Sequence, residues 1–209
     1  MVSLKFSITL KLTGILIFSY LLGSIPFGLL LVKWIKSVDL RRAGSGNIGA
    51  TNALRTGGRA LGLATLLLDG SKGALPVYLA GVVCPASAGL IHPLAMGGAA
   101  VCAFCGHLFP LYLGCRASGK GVATAAGCFL LISPLSLLTA LLLFLTAAAL
   151  TRRVSPGSLA AAAALPPAVL LIEKSWILAG AAAVIAVLII VRHKDNIRRL
   201  LAGHEPPFR

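Results

Sequence analysis

The sequence predicts an all-α, polytopic membrane protein, a bundle of about seven transmembrane helices, and three observations carry that expectation. Of 209 residues, 58% are hydrophobic and only 11% are charged, far from the balance of a soluble domain. The apolar residues gather into runs close to the about 20 that an α-helix needs to cross hydrocarbon. The charge, formally +14, lies almost wholly between those runs, where water and lipid headgroups solvate it. Basic residues dispersed over several short loops, with few aromatic residues among them to stack on bases, exclude a nucleic-acid partner. The chain reads as one domain over residues 1–209, surrounded by membrane lipids.

The runs fall at residues 10–32, 60–82, 88–113, 121–132, 134–150, 157–172 and 175–191. The first follows a lysine-flanked start, as a signal peptide would. Its apolar part is too long and no small-residue cleavage site follows, so it is expected to remain as a helix. The fourth is short, and either crosses tilted or enters only half of the bilayer. Small residues such as Gly97 to Ala100 and Ala160 to Ala164 let helix backbones approach closely. Five cysteines, Cys84, Cys102, Cys105, Cys115 and Cys128, sit in or beside the runs and read as small packing residues. No metal site, cofactor, disulfide framework or oligomeric state is implied by them.

Orientation follows from the loops, because short segments rich in Lys and Arg stay in the cytoplasm. With seven spans, one side collects Lys33, Lys36, Arg41, Arg42, Arg55, Arg59, Arg116, Lys120, Arg152, Arg153, Arg192, Lys194, Arg198, Arg199 and Arg209. The other receives Lys5, Lys11 and Lys174, with Lys72 inside a span. This asymmetry places the N-terminus outside and the basic loops in the cytoplasm.

Those loops carry the chemistry. In "RRAGSGNIGATNALR", Gly44, Gly46 and Gly49 free the backbone to aim successive N–H groups at an anion. Ser45, Asn47, Thr51 and Asn52 add neutral donors, Arg55 adds a charged fork, and a helix opening near Thr51 would point its N-terminus at the same anion. In "CRASGKGVAT", Gly114, Gly119 and Lys120 fit the nucleotide-binding pattern G-x-x-x-x-G-K. Gly121 stands where that pattern needs a magnesium-binding hydroxyl, so nucleotide binding is not implied, although glycines beside a lysine at a helix start still favour phosphate. "TRRVSPGSLA" offers Ser155 and Ser158, with two readings open: a helix cap among positive-inside charges, or a site. In "RHKDNIRRL", His193, Asn196 and Arg199 form a loose stripe if the segment is helical, equally suited to substrate or to anionic lipid. Within the membrane, Asp69 and Lys72 are three residues apart, either a structural ion pair or a site reached by water. His107, at a span end, caps, holds a loop or touches substrate.

Taken together, "GSIPFG" (23–28), "GSGNIGATNALR", "LLDGSKG", "GHLFP", "GKGVAT" and "HKDNIRRL", in this order, resemble the bacterial membrane acyl-phosphate:glycerol-3-phosphate acyltransferases over nearly the whole chain. The resemblance implies a similar helix bundle with cytoplasmic loops. It assigns Ser45, Asn47, Thr51, Asn52 and Arg55 to one substrate motif, Lys120 to a second, His193, Asn196 and Arg199 to a third, and Ser155 and Ser158 to a serine-containing loop. One departure stands out. The family runs Lys or Arg, two glycines, then Lys-Gly, whereas here Arg116 lies one residue farther from Lys120, and Ala117 and Ser118 intervene.

The expected reaction transfers an acyl group from acyl phosphate to the 1-hydroxyl of sn-glycerol 3-phosphate, giving 1-acyl-sn-glycerol 3-phosphate and phosphate at the bacterial inner membrane. Gly44, Ser45, Gly46 and Asn47 would cradle the donor phosphate, while Arg55, Lys120, His193 and Asn196 hold glycerol 3-phosphate. Two bases are open, His193 and a substrate phosphate. The H-x-x-x-x-D signature of the other major acyltransferase class is missing: five residues after His92, His107, His193 and His204 come Gly97, Tyr112, Arg198 and Arg209. A transporter of organic phosphates and a lipid-binding scaffold are the rival readings. The lack of an internal repeat disfavours the first.

Overall fold

A computed structural model describes residues 2–116 and 118–207, with side chains from residue 9 onward; the Lys5 side chain, Ala117 and Arg209 lie outside the described residues. Among those described, every regular element is helical: α1 (Val2–Gly23), α2 (Phe27–Lys36), α3 (Ala50–Gly57), α4 (Arg59–Val83), α5 (Ile91–Leu108), α6 (Val122–Ile132), α7 (Pro134–Thr151), α8 (Val154–Glu173), α9 (Trp176–Arg192) and α10 (Lys194–Leu201). The expected all-helical membrane fold is thus observed. Five segments are long and apolar enough to cross a bilayer, Thr9–Lys36, Arg59–Val83, Ile91–Leu113, Pro134–Thr151 and Val154–Glu173, and α9 with α10 forms a sixth candidate, bent by 55°. The short fourth run becomes α6, 11 residues long. At 1.5 Å per residue it reaches about 16 Å, half the thickness of a hydrocarbon core of about 30 Å.

The helices group into two compact units, Met1–Ile132 and Ser133–Arg209. In the first, the expected single span 10–32 is interrupted: α1 ends at Gly23 and α2 begins after Pro26. Proline has no N–H to continue the ladder and restricts the residue before it, so the chain breaks at Ser24–Pro26. Small residues set the helix spacing. A Cβ at Gly73 would strike the Thr124 carbonyl and one at Gly127 would strike Gly70, so α4 and α6 touch through backbone. Gly23 against Ala103, and Gly106 against Tyr20, do the same for α1 and α5. In lipid, where burial of apolar surface does not drive helices together, such close approach supplies the dispersion contact that does.

The second unit packs α8 against both α7 and α9. Gly157 makes the α7–α8 contact close, since a Cβ there would meet the Phe144 carbonyl at 2.6 Å. The two readings of 134–150 and 175–191 match α7 and α9 to within a residue or two at each end, whereas α8 begins three residues before the expected 157.

Candidate active site

In the first unit, the glycine-bearing loop is built from its own polar side chains. Ser37 ends α2 in the left-handed conformation (φ 57°) and Asp39 caps a 3₁₀ turn over Leu40–Arg42. Asp39 accepts from the Arg41 backbone at 2.9 Å, and its second oxygen takes the Arg41 Nη2 bond at 2.6 Å. These bonds outweigh partial desolvation and hold the Asp39 carboxyl down at about 2. Leu40 and Ile48 are buried with Leu29, Val32, Ala53 and Leu61, anchoring both ends of the loop in apolar side chains.

Asn52 is the clasp. It is 2% exposed; its Nδ2 donates to the carbonyls of Leu40, Ala43 and Asn47, and its Oδ1 accepts from the Ser45 N–H at 2.9 Å. The expectation that Asn52 offers its amide to substrate is therefore corrected: the amide is engaged within the loop, because a reversing chain leaves backbone groups that something buried must satisfy. Three of the loop's N–H groups are likewise engaged within the loop. Gly44 and Gly46 do take positive φ, 58° and 71°, yet Ser45 N–H points to Asn52, Gly46 N–H to Ala43 O, and Gly49 N–H to the Asn47 side chain. What the loop presents outward is the exposed side chains of Ser45, Thr51 and Arg55, the last two on α3. The expected helix near Thr51 is α3, opening at Ala50.

Beneath this loop's helices runs a buried polar chain. Lys72 Nζ contacts Asp69 Oδ1 at 2.8 Å and donates to the Ile25 carbonyl at 2.8 Å, where the broken helix leaves that carbonyl to accept it. Both side chains are at most 3% exposed. The ammonium also sits 5.7 Å from the Phe27 ring centroid, a cation–π contact. Asp69 Oδ1 is 3.8 Å from His107 Nδ1. The His107 ring in turn packs so tightly on Gly119 that no Cβ fits there. Asp69, Lys72 and His107 are thus buried behind the Lys120 loop, and their geometry is that of a support which sets where Lys120 emerges. Gly121 (φ 75°) packs on the Phe104 ring, fixing the other side of Lys120. Among the described residues the Thr124 hydroxyl, one turn into α6, is buried without a hydrogen-bond partner, as is Ser118 Oγ.

In the second unit, a different carboxylate organises the predicted residues. Ser155 is not the cap of α8: Arg153 holds that position, and Ser155 is the second helical residue. Its hydroxyl donates to Glu205 Oε1 and accepts from Asn196 Nδ2 at 2.7 Å. Asn196 Nδ2 also donates to Glu205 Oε1 at 2.6 Å, and Arg199 Nε donates to Glu205 Oε2 at 2.7 Å. Burial would raise the Glu205 carboxyl, but the bonds from Ser155, Asn196 and Arg199, with the guanidinium charge, bring it below its ordinary value. Ser158 instead returns its hydroxyl to the Val154 carbonyl at 3.2 Å, within its own helix.

The stripe over His193, Asn196 and Arg199 is modified in one respect. His193 is the bend between α9 and α10, and only residues from Lys194 onward continue as α10. Its ring is buried, and Nδ1 lies 2.8 Å from the Ile189 carbonyl. A carbonyl only accepts, so Nδ1 carries the proton and a neutral ring keeps Nε2 as its basic nitrogen. The sequence reading missed Glu205 and the Ile25 carbonyl. Glu205 did have a signal, as one of only five acidic residues in the chain, but nothing local links it to Ser155, 50 residues away. No residue pattern reveals a backbone carbonyl.

The glycerol-3-phosphate acyltransferase family profile matches residues 13–203, running through both units. A Glycerol-3-phosphate acyltransferase of Geobacter sulfurreducens is 49% identical over 191 residues, covering 91% of this chain and 94% of that one. Two crystal structures of PlsY (YgiH), an integral membrane glycerol 3-phosphate acyltransferase, superpose on it. The glycerol 3-phosphate form gives a TM-score of 0.87 at 36% identity, over 95% of this chain and 96% of that one. The lysophosphatidic acid form gives 0.85 at 33% identity, over 95% of each. The match takes in every basic loop built above, together with the helices that carry them, and on that ground the chain belongs to the glycerol-3-phosphate acyltransferase family.

Proposed function

We propose that this enzyme takes its acyl group from acyl phosphate and places it on the 1-hydroxyl of sn-glycerol 3-phosphate, releasing 1-acyl-sn-glycerol 3-phosphate and inorganic phosphate. The observation that supports it most is the outward display of Ser45, Thr51 and Arg55 from a loop whose backbone is clasped internally, alongside similarity to a PlsY structure in its glycerol 3-phosphate form. Both substrates are anions, and their approach demands cationic and neutral donors at each phosphate. In this reading the loop around Ser45 and Asn47 receives the donor phosphate. In the first unit Arg55 and Lys120, and in the second His193, Asn196, Ser155 and Arg199, are the groups suited to glycerol 3-phosphate.

An acyl phosphate is a mixed anhydride, so its carbonyl is already activated. The 1-hydroxyl oxygen forms a bond to the carbonyl carbon, the carbonyl oxygen takes up the electron pair, and collapse breaks the bond to phosphate, which leaves with those electrons. The hydroxyl proton passes to His193 Nε2 or to a phosphate oxygen. Catalysis then rests on alignment and on donors for the developing oxyanion. The concentration of basic residues in one set of loops supports a site on the cytoplasmic face of the inner membrane, with the N-terminus outside.

Purified enzyme in detergent, given palmitoyl phosphate and radiolabelled glycerol 3-phosphate, is expected to form a lipid-extractable product with one phosphate released per turnover. Product formed with palmitoyl-CoA and none with palmitoyl phosphate would overturn the donor assignment. With the donor established, near-normal turnover by His193→Ala would leave the proton to the substrate phosphate.

A further inference from the structure

Four of the chain's five acidic residues each serve one turn, ion pair or helix end. Asp39 caps a turn, Asp69 pairs with Lys72, Glu173 accepts from Ser133 Oγ, and Asp195 occupies the first turn of α10 beside Arg198. Glu205 has none of these. It lies beyond α10 in an irregular tail, yet its side chain is 4% exposed. On it converge three donors from two separate elements, Ser155 of α8 and Asn196 and Arg199 of α10.

We propose that Glu205 is a positioning residue for glycerol 3-phosphate: it holds the Arg199 guanidinium by Nε, leaving the terminal nitrogens for the phosphate, and takes up the Ser155 O–H and an Asn196 N–H, so that these two side chains keep only oxygen lone pairs, which suit the glycerol hydroxyls. The proposal rests on the substrate roles given to those three residues in the preceding section. The turn that carries Glu205 back does not need its carboxylate. Gly203 takes a left-handed conformation (φ 74°), Gly203 N–H bonds Leu200 O, and His204 N–H bonds Arg199 O. This is the backbone pattern that closes helix ends without side-chain help. The carboxylate is therefore available to act on side chains. It does so from beneath: Arg199 is 43% exposed against 4% for Glu205. The carboxylate engages Nε and leaves the two terminal nitrogens of this part-exposed side chain, the pair that grips a phosphate end-on, outside its contact. On Asn196, Nδ2 bonds both members of the Ser155–Glu205 pair, which fixes the rotation of the amide.

Glu205→Gln replaces one acceptor oxygen by an NH₂ group facing the Arg199 N–H, while keeping shape and the tail turn. Binding of radiolabelled glycerol 3-phosphate to the detergent-purified enzyme, measured by equilibrium dialysis, needs no acyl donor and so stands whatever the donor proves to be. The glutamine variant is expected to bind about tenfold more weakly, the size of one charge-assisted hydrogen bond. Its KM for glycerol 3-phosphate should rise in step, with kcat within about twofold and the global melting midpoint unchanged, any loosening being confined to the tail. In an Arg199→Ala background the same substitution should add less than in wild type, because part of its effect passes through Arg199. Should the glutamine variant fail to fold, Glu205→Asp, one methylene short, supplies the test with a smaller KM-weighted defect. Wild-type binding and KM in a folded variant, or a lowered melting midpoint with kcat and affinity falling together, would show that Glu205 is only a staple for the tail.

Discussion

Asn52 and Glu205 are the two side chains on which the local geometry turns, the first chiefly a donor and the second an acceptor, and both are engaged within the protein rather than displayed. Asn52→Ala removes two N–H groups shared among three carbonyls, and one acceptor, from a nearly fully buried position. At about 1 kcal/mol net per bond, somewhat more where a buried partner is left unsatisfied, the loop should lose about 3 kcal/mol of local stability. The expected outcome is rapid protease nicking within residues 37–49 and loss of activity; an intact loop with normal turnover would contradict the clasp. Glu205 gives a pH signature. Its folded carboxyl lies below the ordinary glutamate value, so the unfolded tail binds more protons and stability rises with pH across that interval. The docking contribution is complete above about 4.3 and disappears as pH falls through the lowered native value. Proteolysis of the tail should therefore accelerate in acid for the wild type, and that acceleration should be weaker in Glu205→Gln. Residue types in the motifs announced a polar, anion-seeking region. They did not distinguish Ser45, Thr51 and Arg55, which face outward, from Asn52, which faces in, since that depends on where the chain reverses.

At the level of elements, glycines decide how the site's supports meet. Gly119 has no room for a Cβ because the His107 ring fills the space, and His107 is itself backed by Asp69 and Lys72. Gly119→Ala must push the Lys120 segment away from α5. It should raise the KM for substrate about tenfold or more, as a misplacement near 1 Å does, while Gly114→Ala, whose Cβ meets open space although φ is 68°, should have a milder effect. Steady-state kinetics of the two variants checks this. Most helix positions were legible from hydropathy, because a membrane segment must satisfy its backbone internally and so is long, apolar and helical. Two features were not. The break at Ser24–Pro26 hides within an unbroken apolar run, and the bend at His193 falls in a stretch whose residue types suit a continuous helix.

Over the whole molecule, the charge asymmetry makes a prediction independent of any side-chain geometry. In vesicles of known orientation, single cysteines introduced at Ser45, Lys120 and His193 in a background lacking native thiols should all react with a membrane-impermeant reagent from the cytoplasmic side only. His193 is buried, so its labelling should be slow. Reaction of any one from the opposite side would dismantle the topology and the chemistry proposed with it. By itself the amino-acid order determined the all-helical membrane class, the approximate spans and the family, since hydrocarbon tolerates one kind of backbone and the motifs are contiguous strings. Only the tertiary structure decided which polar groups are engaged by the protein and which face outward. It tied Glu205 to Ser155, and the Ile25 carbonyl to Lys72. Hydrogen bonds between residues tens of positions apart depend on how helices pack, and packing is set by close contacts at Gly23, Gly73, Gly106 and Gly127 rather than by any local pattern.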